Sequence, residues 1–385
     1  MRRISCSYHY VYLFFFAICS NLVSAQVTFV IDEIPENTPV GEKIFISGNF
    51  EGWTGGQDKY KMKSMQGKYV YTFNEMDERP IEFKFTRGSW ATVEVDHEGL
   101  QMENRTYSFK RENDTVNLSI SRWHDFSPAK STASKNVRVL DENFDMLPLN
   151  KKRRIWIYLP EEYENDQKKY PVLYMHDGQN LFDATTSFSG EWQVDETLDK
   201  LKDSIGLELI VVAIDHGGAE RIDEYSPWNL ENYPTNAEGD QYVRFISENL
   251  KPYVDENYRT LKEAENTGIM GSSLGGLISF YTAIEYPEVF GIAGIFSPSF
   301  PLVDEEIEIS QRNPELQKLR IYFMSGGREG HNVVKEMKLM SEKMIQSGIP
   351  VENIYTRVNP VGEHNEKLWK AEFERAVIWL FEPKT

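Results

Sequence analysis

The chain has 385 residues and a formal net charge of −18, with 60 acidic against 42 basic side chains. That length allows two domains, one of them large enough to bury a sizeable core. The acidic excess argues against nucleic acid and against anionic membrane surfaces as partners.

Met1–Ala25 reads as a secretory signal. Arg2 and Arg3 make a basic start, Val11–Ile18 a compact apolar centre, and Val23-Ser24-Ala25 a small-residue cleavage site. The apolar run is too short to span a bilayer. Phe16-Ala17-Ile18 is a poor approach to lipoprotein cleavage before Cys19. The expectation is a secreted or periplasmic protein with no membrane span. Both cysteines, Cys6 and Cys19, fall in this segment. The remaining chain would therefore have no disulfide, no thiolate chemistry and no cysteine-ligated metal.

Residues 26–126 alternate short β-type runs with turn residues: Val27–Ile31, Lys43–Ser47, Tyr69–Phe73, Ile81–Thr86 and Val116–Ile120. Strands at this spacing predict a small antiparallel all-β sandwich. The stretches Ile46–Trp53 (ISGNFEGW) and Ile81–Trp90 (IEFKFTRGSW) resemble the early-set immunoglobulin-like starch- and glycogen-binding modules. The resemblance implies that Trp53 and Trp90 stack on sugar rings and that Lys84 assists. Aromatic faces suit the apolar C–H face of a pyranose. The alternative is that Trp53 packs the sandwich and the module is a spacer. Asn104, Asn113 and Asn117 sit in glycosylation acceptor patterns, which matter only in a eukaryotic secretory route.

Residues 127–135 are small and polar, include Pro128, and read as a linker. From residue 136 to 385 the pattern changes to alternating strands and helices. The predicted strands are Val137–Leu140, Arg154–Leu159, Val172–Met175, Leu209–Ile214, Thr267–Met270, Ile292–Phe296, Ile321–Met324 and Ile354–Val358. The predicted helices include Glu191–Leu201, Gln241–Tyr253, Leu274–Tyr286, Val333–Gln346 and Lys367–Leu380. Near-continuous apolar strands between helices mean a mostly parallel sheet covered on both faces.

After the fifth strand, Gly271-Ser272-Ser273-Leu274-Gly275 fits G-x-S-x-G, a sharp strand-to-helix turn that exposes the middle serine. A serine hydroxyl is a weak nucleophile and needs a base, which in turn needs an orienting carboxylate. Only His331 and His364 follow Ser273 among the histidines. His364 lies after the last strand, at the carboxyl edge where the serine emerges, and is the candidate base. The loop after the seventh strand offers Glu329 as the acid, with Asp304 and Glu363 as alternatives. The oxyanion donors would be the N–H of Leu274 and, after the third strand, the N–H of Gln179, with Asp177 tying that loop together.

Tyr174–Phe182 (YMHDGQNLF), Gly271–Gly276 (GSSLGG) and Gly362–Asn365 (GEHN) resemble the esterase-D-type esterases. That group includes carbohydrate esterase family 1 feruloyl and acetyl-xylan esterases, siderophore trilactone esterases and mycolyltransferases. The resemblance implies an α/β-hydrolase fold of roughly eight strands and a serine carboxylic-ester hydrolase. It implies no metal or organic cofactor. The expected substrate is an acylated polysaccharide or oligosaccharide, or another small ester. Many members use aspartate where this chain offers Glu329. Trp192 and Trp228, with Tyr225, are candidates for an aromatic substrate subsite, and His216 for a structural role. Two other readings stand beside this one: a ferric-siderophore trilactone esterase, and a glycan-binding protein with a weakly active hydrolase domain.

Overall fold

The computed structural model describes residues 26–382 apart from 75–79, 111, 127–129, 188–189, 231–234, 304–306, 308 and 310–312. The predicted signal segment, Cys6, Cys19, Pro128 and Asp304 lie outside the described residues.

In strand Gln26–Glu33 the alternate residues Val27, Phe29 and Ile31 are buried, as a period of two requires of a half-covered strand. This strand pairs antiparallel with Lys68–Asn74, and Lys63–Met65 extends that edge, but it runs parallel to Asp114–Ser119, so the sandwich is not wholly antiparallel as its spacing predicted. A second sheet holds Phe45–Gly48, Ile81–Thr86 and Arg105–Tyr107. The two share one core, in which Phe29 meets Phe83 at a centroid distance of 4.8 Å. Lys63–Met65 and Arg105–Tyr107 carry no buried residue and are three residues long, too short and too polar to leave a periodic signal.

The larger sheet contains β1 (Val137–Met146), β2 (Lys151–Tyr158), β3 (Val172–His176), β4 (Ile210–Ile214), β5 (Thr267–Ser272), β6 (Ile292–Phe296), β7 (Arg320–Gly326) and β8 (Ile354–Asn359). Their order is β1-β2-β4-β3-β5-β6-β7-β8, with only the β1–β2 and β2–β4 pairs antiparallel. Both faces are covered, which explains the continuous apolar runs. In β3, Val172 and Tyr174 enter one core, and Leu173 and Met175 the other.

Helices α1 (Val194–Ile205) and α4 (Glu366–Phe381) cover the second of these faces. Helices α2 (Leu274–Glu285) and α3 (His331–Gln346) cover the first, together with the helical run from Gly239 to Asn257. That run widens over Ile246–Leu250. The proline at 252 has no N–H to close a regular turn onto Glu248, so the helix loosens just ahead of it.

Strand order reverses around β3, which has β4 on one side and β5 on the other. Clefts in open α/β sheets form beyond the carboxyl ends of strands at such a point. Among the described residues, no helix is long and apolar enough to cross a membrane.

Candidate active site

Every residue of β5 is buried, and the chain turns sharply at its end into α2. Ser273 sits at the turn with φ 59° and ψ −122°, a region L-residues rarely occupy. Gly271 is required for the turn: a Cβ there would lie 2.8 Å from the Gly275 backbone and 2.9 Å from the His176 ring. The demand at Gly275 is milder, because its nearest neighbour would be the Asp177 carboxylate at 3.2 Å. Ser273 is partly exposed, with Oγ 3.4 Å from Ser299 Oγ.

His364 lies between β8 and α4. Its Nδ1–H donates to Glu329 Oε2 at 2.8 Å, and its ring meets Trp369 edge-on at 5.1 Å. The Glu329 side chain is fully buried on the loop after β7. Its Oε1 accepts from Ser297 Oγ at 2.6 Å and from the Gly326 N–H at 2.5 Å. The Trp369 indole N–H donates to Ser297 Oγ at 2.9 Å, which directs the serine proton toward Glu329. The loop after β6 links this pair to the elbow. Phe296 O accepts the Ser273 N–H, and the Ser299 N–H donates to Ser273 O. No hydrogen bond joins Ser273 to His364 directly; such contacts often tighten only when substrate is bound. Glu363, by contrast, is exposed and faces Arg328 at 3.7 Å.

Under the elbow, Asp177 adopts φ 57° and leads into the turn Gly178–Asn180. Arg221 grips its carboxylate at 2.6 and 2.9 Å. Burial works to raise the Asp177 carboxyl, but the guanidinium overrides it and holds the group below the usual range. The Asp177 N–H donates to Tyr225 Oη at 3.2 Å, and His176 Nδ1 is 2.9 Å from Tyr242 Oη. Burial drives His176 down to about 3, so at neutral pH it is an uncharged spacer. The carbonyl and side chain of Gln179 are engaged by Thr186 and by the His216 N–H. The backbone N–H groups of Gln179 and Leu274 both lie in first turns, where a helix offers no internal acceptor. His216 Nδ1 accepts from the Gly218 N–H at 2.9 Å, a local structural bond.

Several predicted binding residues are placed differently. Trp192 is 3% exposed, stacked on Phe296 at 5.6 Å and packed near Trp369, so it belongs to the core and not to a substrate subsite. Tyr225 is fully buried beneath the Asp177 turn. Trp228 is partly buried, edge-on to Tyr281 at 5.2 Å. Trp192→Ala is accordingly expected to cost ~3–5 kcal/mol in stability. Urea unfolding checks this, and a KM change without a stability change would return the residue to the substrate.

In the sandwich, Trp53 and Trp90 are both partly exposed, with ring centroids 5.9 Å apart. The Trp90 indole N–H is held by Trp53 O at 2.7 Å. Lys84 is not beside them at the surface. Its side chain is wholly buried, and burial lowers its amine to about 8 while Glu94 and Glu366 oppose the shift. Burial likewise raises Glu366 to about 8. An amine in that position cannot reach a surface glycan. It helps set the sandwich against the start of α4, two residues after His364, where Lys367 also meets Glu103 at 2.9 Å.

Sequence reasoning passed over Ser297, Ser299, Trp369 and Arg221. The position of Ser297-Pro298-Ser299 directly after the sixth strand was an available signal for the two serines. Nothing in the sequence singles out Arg221.

A serine on a strained strand–turn–helix at the switch point of an eight-stranded mixed sheet defines an α/β-hydrolase. The family model described as "Putative esterase" matches residues 148–380. The chain belongs to this family, and the protein is a carboxylic ester hydrolase. Among its relatives, the uncharacterized protein YbbA of Bacillus subtilis is 27% identical over 243 residues, covering 60% of this chain and 92% of YbbA. An α-amylase of Niallia circulans is 34% identical over 111 residues, 27% of this chain and 8% of the amylase, which fits a carbohydrate-binding-like module at the N-terminus. Two solved structures share the fold. A ferulic acid esterase has a TM-score of 0.50 at 19% identity, covering 64% of this chain and 97% of the esterase. The enterobactin esterase of Shigella flexneri reaches 0.54 at 17% identity, covering 93% of both chains.

Proposed function

We infer that the protein is a secreted or periplasmic serine esterase that removes feruloyl or acetyl groups from polysaccharide. The observation that carries the mechanism is the buried Glu329 carboxylate bonded to His364 Nδ1, on loops tied to the Ser273 turn. With Nδ1 donating to Glu329, the His364 Nε2 is the basic nitrogen. Ser273 Oγ attacks the ester carbonyl carbon while Nε2 takes the hydroxyl proton. The N–H groups of Gln179 and Leu274 hold the oxyanion. Collapse expels the alcohol, which receives its proton from His364. Water, deprotonated by His364, then attacks the acyl-enzyme and frees the acid and Ser273.

The polysaccharide part of the reading draws on the partly exposed Trp53–Trp90 pair and on the likenesses to a ferulic acid esterase and an α-amylase. Calorimetric titration with soluble glucans or xylans is expected to give heat that the Trp53→Ala/Trp90→Ala double variant loses. Equal heats from both proteins would leave the sandwich as a spacer.

One observation favours a second reading, a siderophore trilactone esterase. The likeness to the enterobactin esterase extends over 93% of both chains. The formal charge of −18 speaks against it, since such a substrate suits a basic cleft. Relative kcat/KM on methyl ferulate, acetylated xylan and a catecholate trilactone separates the readings. Turnover of the trilactone alone would reverse their order.

A further inference from the structure

Away from the elbow, where the segment leaving the sandwich meets the first turn of α1, three carboxylates converge. A ligand oxygen from each of Glu191, Asp195 and Glu196 lies within 4.8 Å of the other two. Acids in the first turn of a helix are ordinary, because the helix dipole favours them there. Asp195 goes beyond that. It is wholly buried, its Oδ2 accepts the Ser134 N–H at 2.7 Å, and no donor reaches its Oδ1, although the Glu196 carboxylate lies within hydrogen-bond reach of its own. Glu196 Oε2 is buried and equally unpartnered. Glu191 Oε1 accepts from Thr132 Oγ1 at 2.9 Å. Asp183 adds another negative charge nearby, and Lys370 opposes it.

We propose that Glu191, Asp195 and Glu196 bind one calcium ion, which fastens the segment 131–136 to the hydrolase part of the chain. All the side-chain donors are carboxylate oxygens, which suits a hard cation and not zinc. Two oxygens on opposite sides of Ca²⁺, each about 2.4 Å away, stand ~4.8 Å apart, so the observed spacing admits one ion touching all three. Mg²⁺ demands a tighter, near-ideal octahedron and sheds water reluctantly. Thr132 and Ser134 already bond to Glu191 and Asp195, and Ser131 to Asp183. An ion here would hold these attachments together. It would also steady the run from Trp192 to Val194, whose N–H groups bond Asn180 O and Leu181 O on the far side of the Gln179 turn.

The test uses the full chain after EDTA treatment and gel filtration, titrated with CaCl₂ and followed by calorimetry and thermal unfolding. One equivalent of Ca²⁺ is expected to bind, and saturation to raise Tm by about 3 °C or more. Glu191→Gln/Glu196→Gln and, separately, Asp195→Asn are expected to lose the heat and the shift. Asparagine keeps an acceptor for the Ser134 N–H. The double variant alters only half-buried side chains, so it provides the decision if Asp195→Asn misfolds. No heat and no Tm shift in millimolar Ca²⁺ would overturn the proposal in favour of a proton shared between Asp195 and Glu196. An undiminished response in the double variant would overturn it too, because the ion would then sit elsewhere.

Discussion

Replacing Ser273 by alanine is expected to lower kcat/KM on a generic aryl acetate by ~10⁴–10⁶, while the fold is unchanged. The size follows from the loss of the nucleophile: without Oγ no acyl-enzyme forms, and only the oxyanion donors and substrate positioning remain. That range corresponds to about 5–8 kcal/mol of transition-state stabilisation. The fold should tolerate the change because Ser273 Oγ makes only a long contact to Ser299. The strain at φ 59° is imposed on the backbone and is much the same for alanine as for serine. Unchanged circular dichroism and a Tm within a few degrees would make the kinetic loss interpretable. Activity within tenfold of the parent would remove Ser273 from the chemistry.

The second large effect concerns Glu329→Gln, for which a fall in kcat of ~10⁴ is expected. The geometry predicts how the amide must orient. Ser297 Oγ and the Gly326 N–H both donate to the Oε1 position, so the glutamine carbonyl is drawn there. Its NH₂ group then faces His364 Nδ1 and can only donate to it. The imidazole is thereby held with its proton on Nε2, the nitrogen that must accept the serine proton. Glu363→Gln is the matched control. Its carboxylate is exposed and faces Arg328, so it should change kcat less than threefold by the usual modest worth of surface pairs. The reverse ranking of the two variants would make Glu363 the acid.

The larger sheet was legible almost strand by strand, because inner runs such as Val172–Met175 and Ile292–Phe296 are apolar on both faces and bounded by turn residues, whereas the edge strands Val137–Met146 and Ile354–Asn359 are mixed and partly exposed. The sandwich was legible in outline only. Its edge strands Lys63–Met65 and Arg105–Tyr107 are three residues long and contain no fully buried residue, which leaves too little periodicity to read. Around the elbow the sequence pointed to Ser273, His364, Glu329 and the Gln179 turn through their order along the chain. Ser297 and Trp369 escaped because they act on Glu329 from elements far apart in sequence. Lys84 and Trp192 misled for one shared reason. A lysine or tryptophan beside a motif looks the same whether it faces solvent or the interior, and both prove buried.

The chain by itself determined the strand–helix alternation, the sharp turn at Gly271–Gly275, and the order of serine, acid and histidine. These depend on local periodicity and on backbone sterics, which neighbouring residues specify. Tertiary structure alone decided that the Glu329 carboxylate is aligned by Ser297 and Trp369, and that Asp177 is gripped by Arg221. It alone also buried Lys84 against the start of α4, and it brought the segment leaving the sandwich against Glu191 and Asp195. Burial and charge neighbourhood are sums over residues distant in sequence, so they come into being only when the sheet, its helices and the sandwich are packed together.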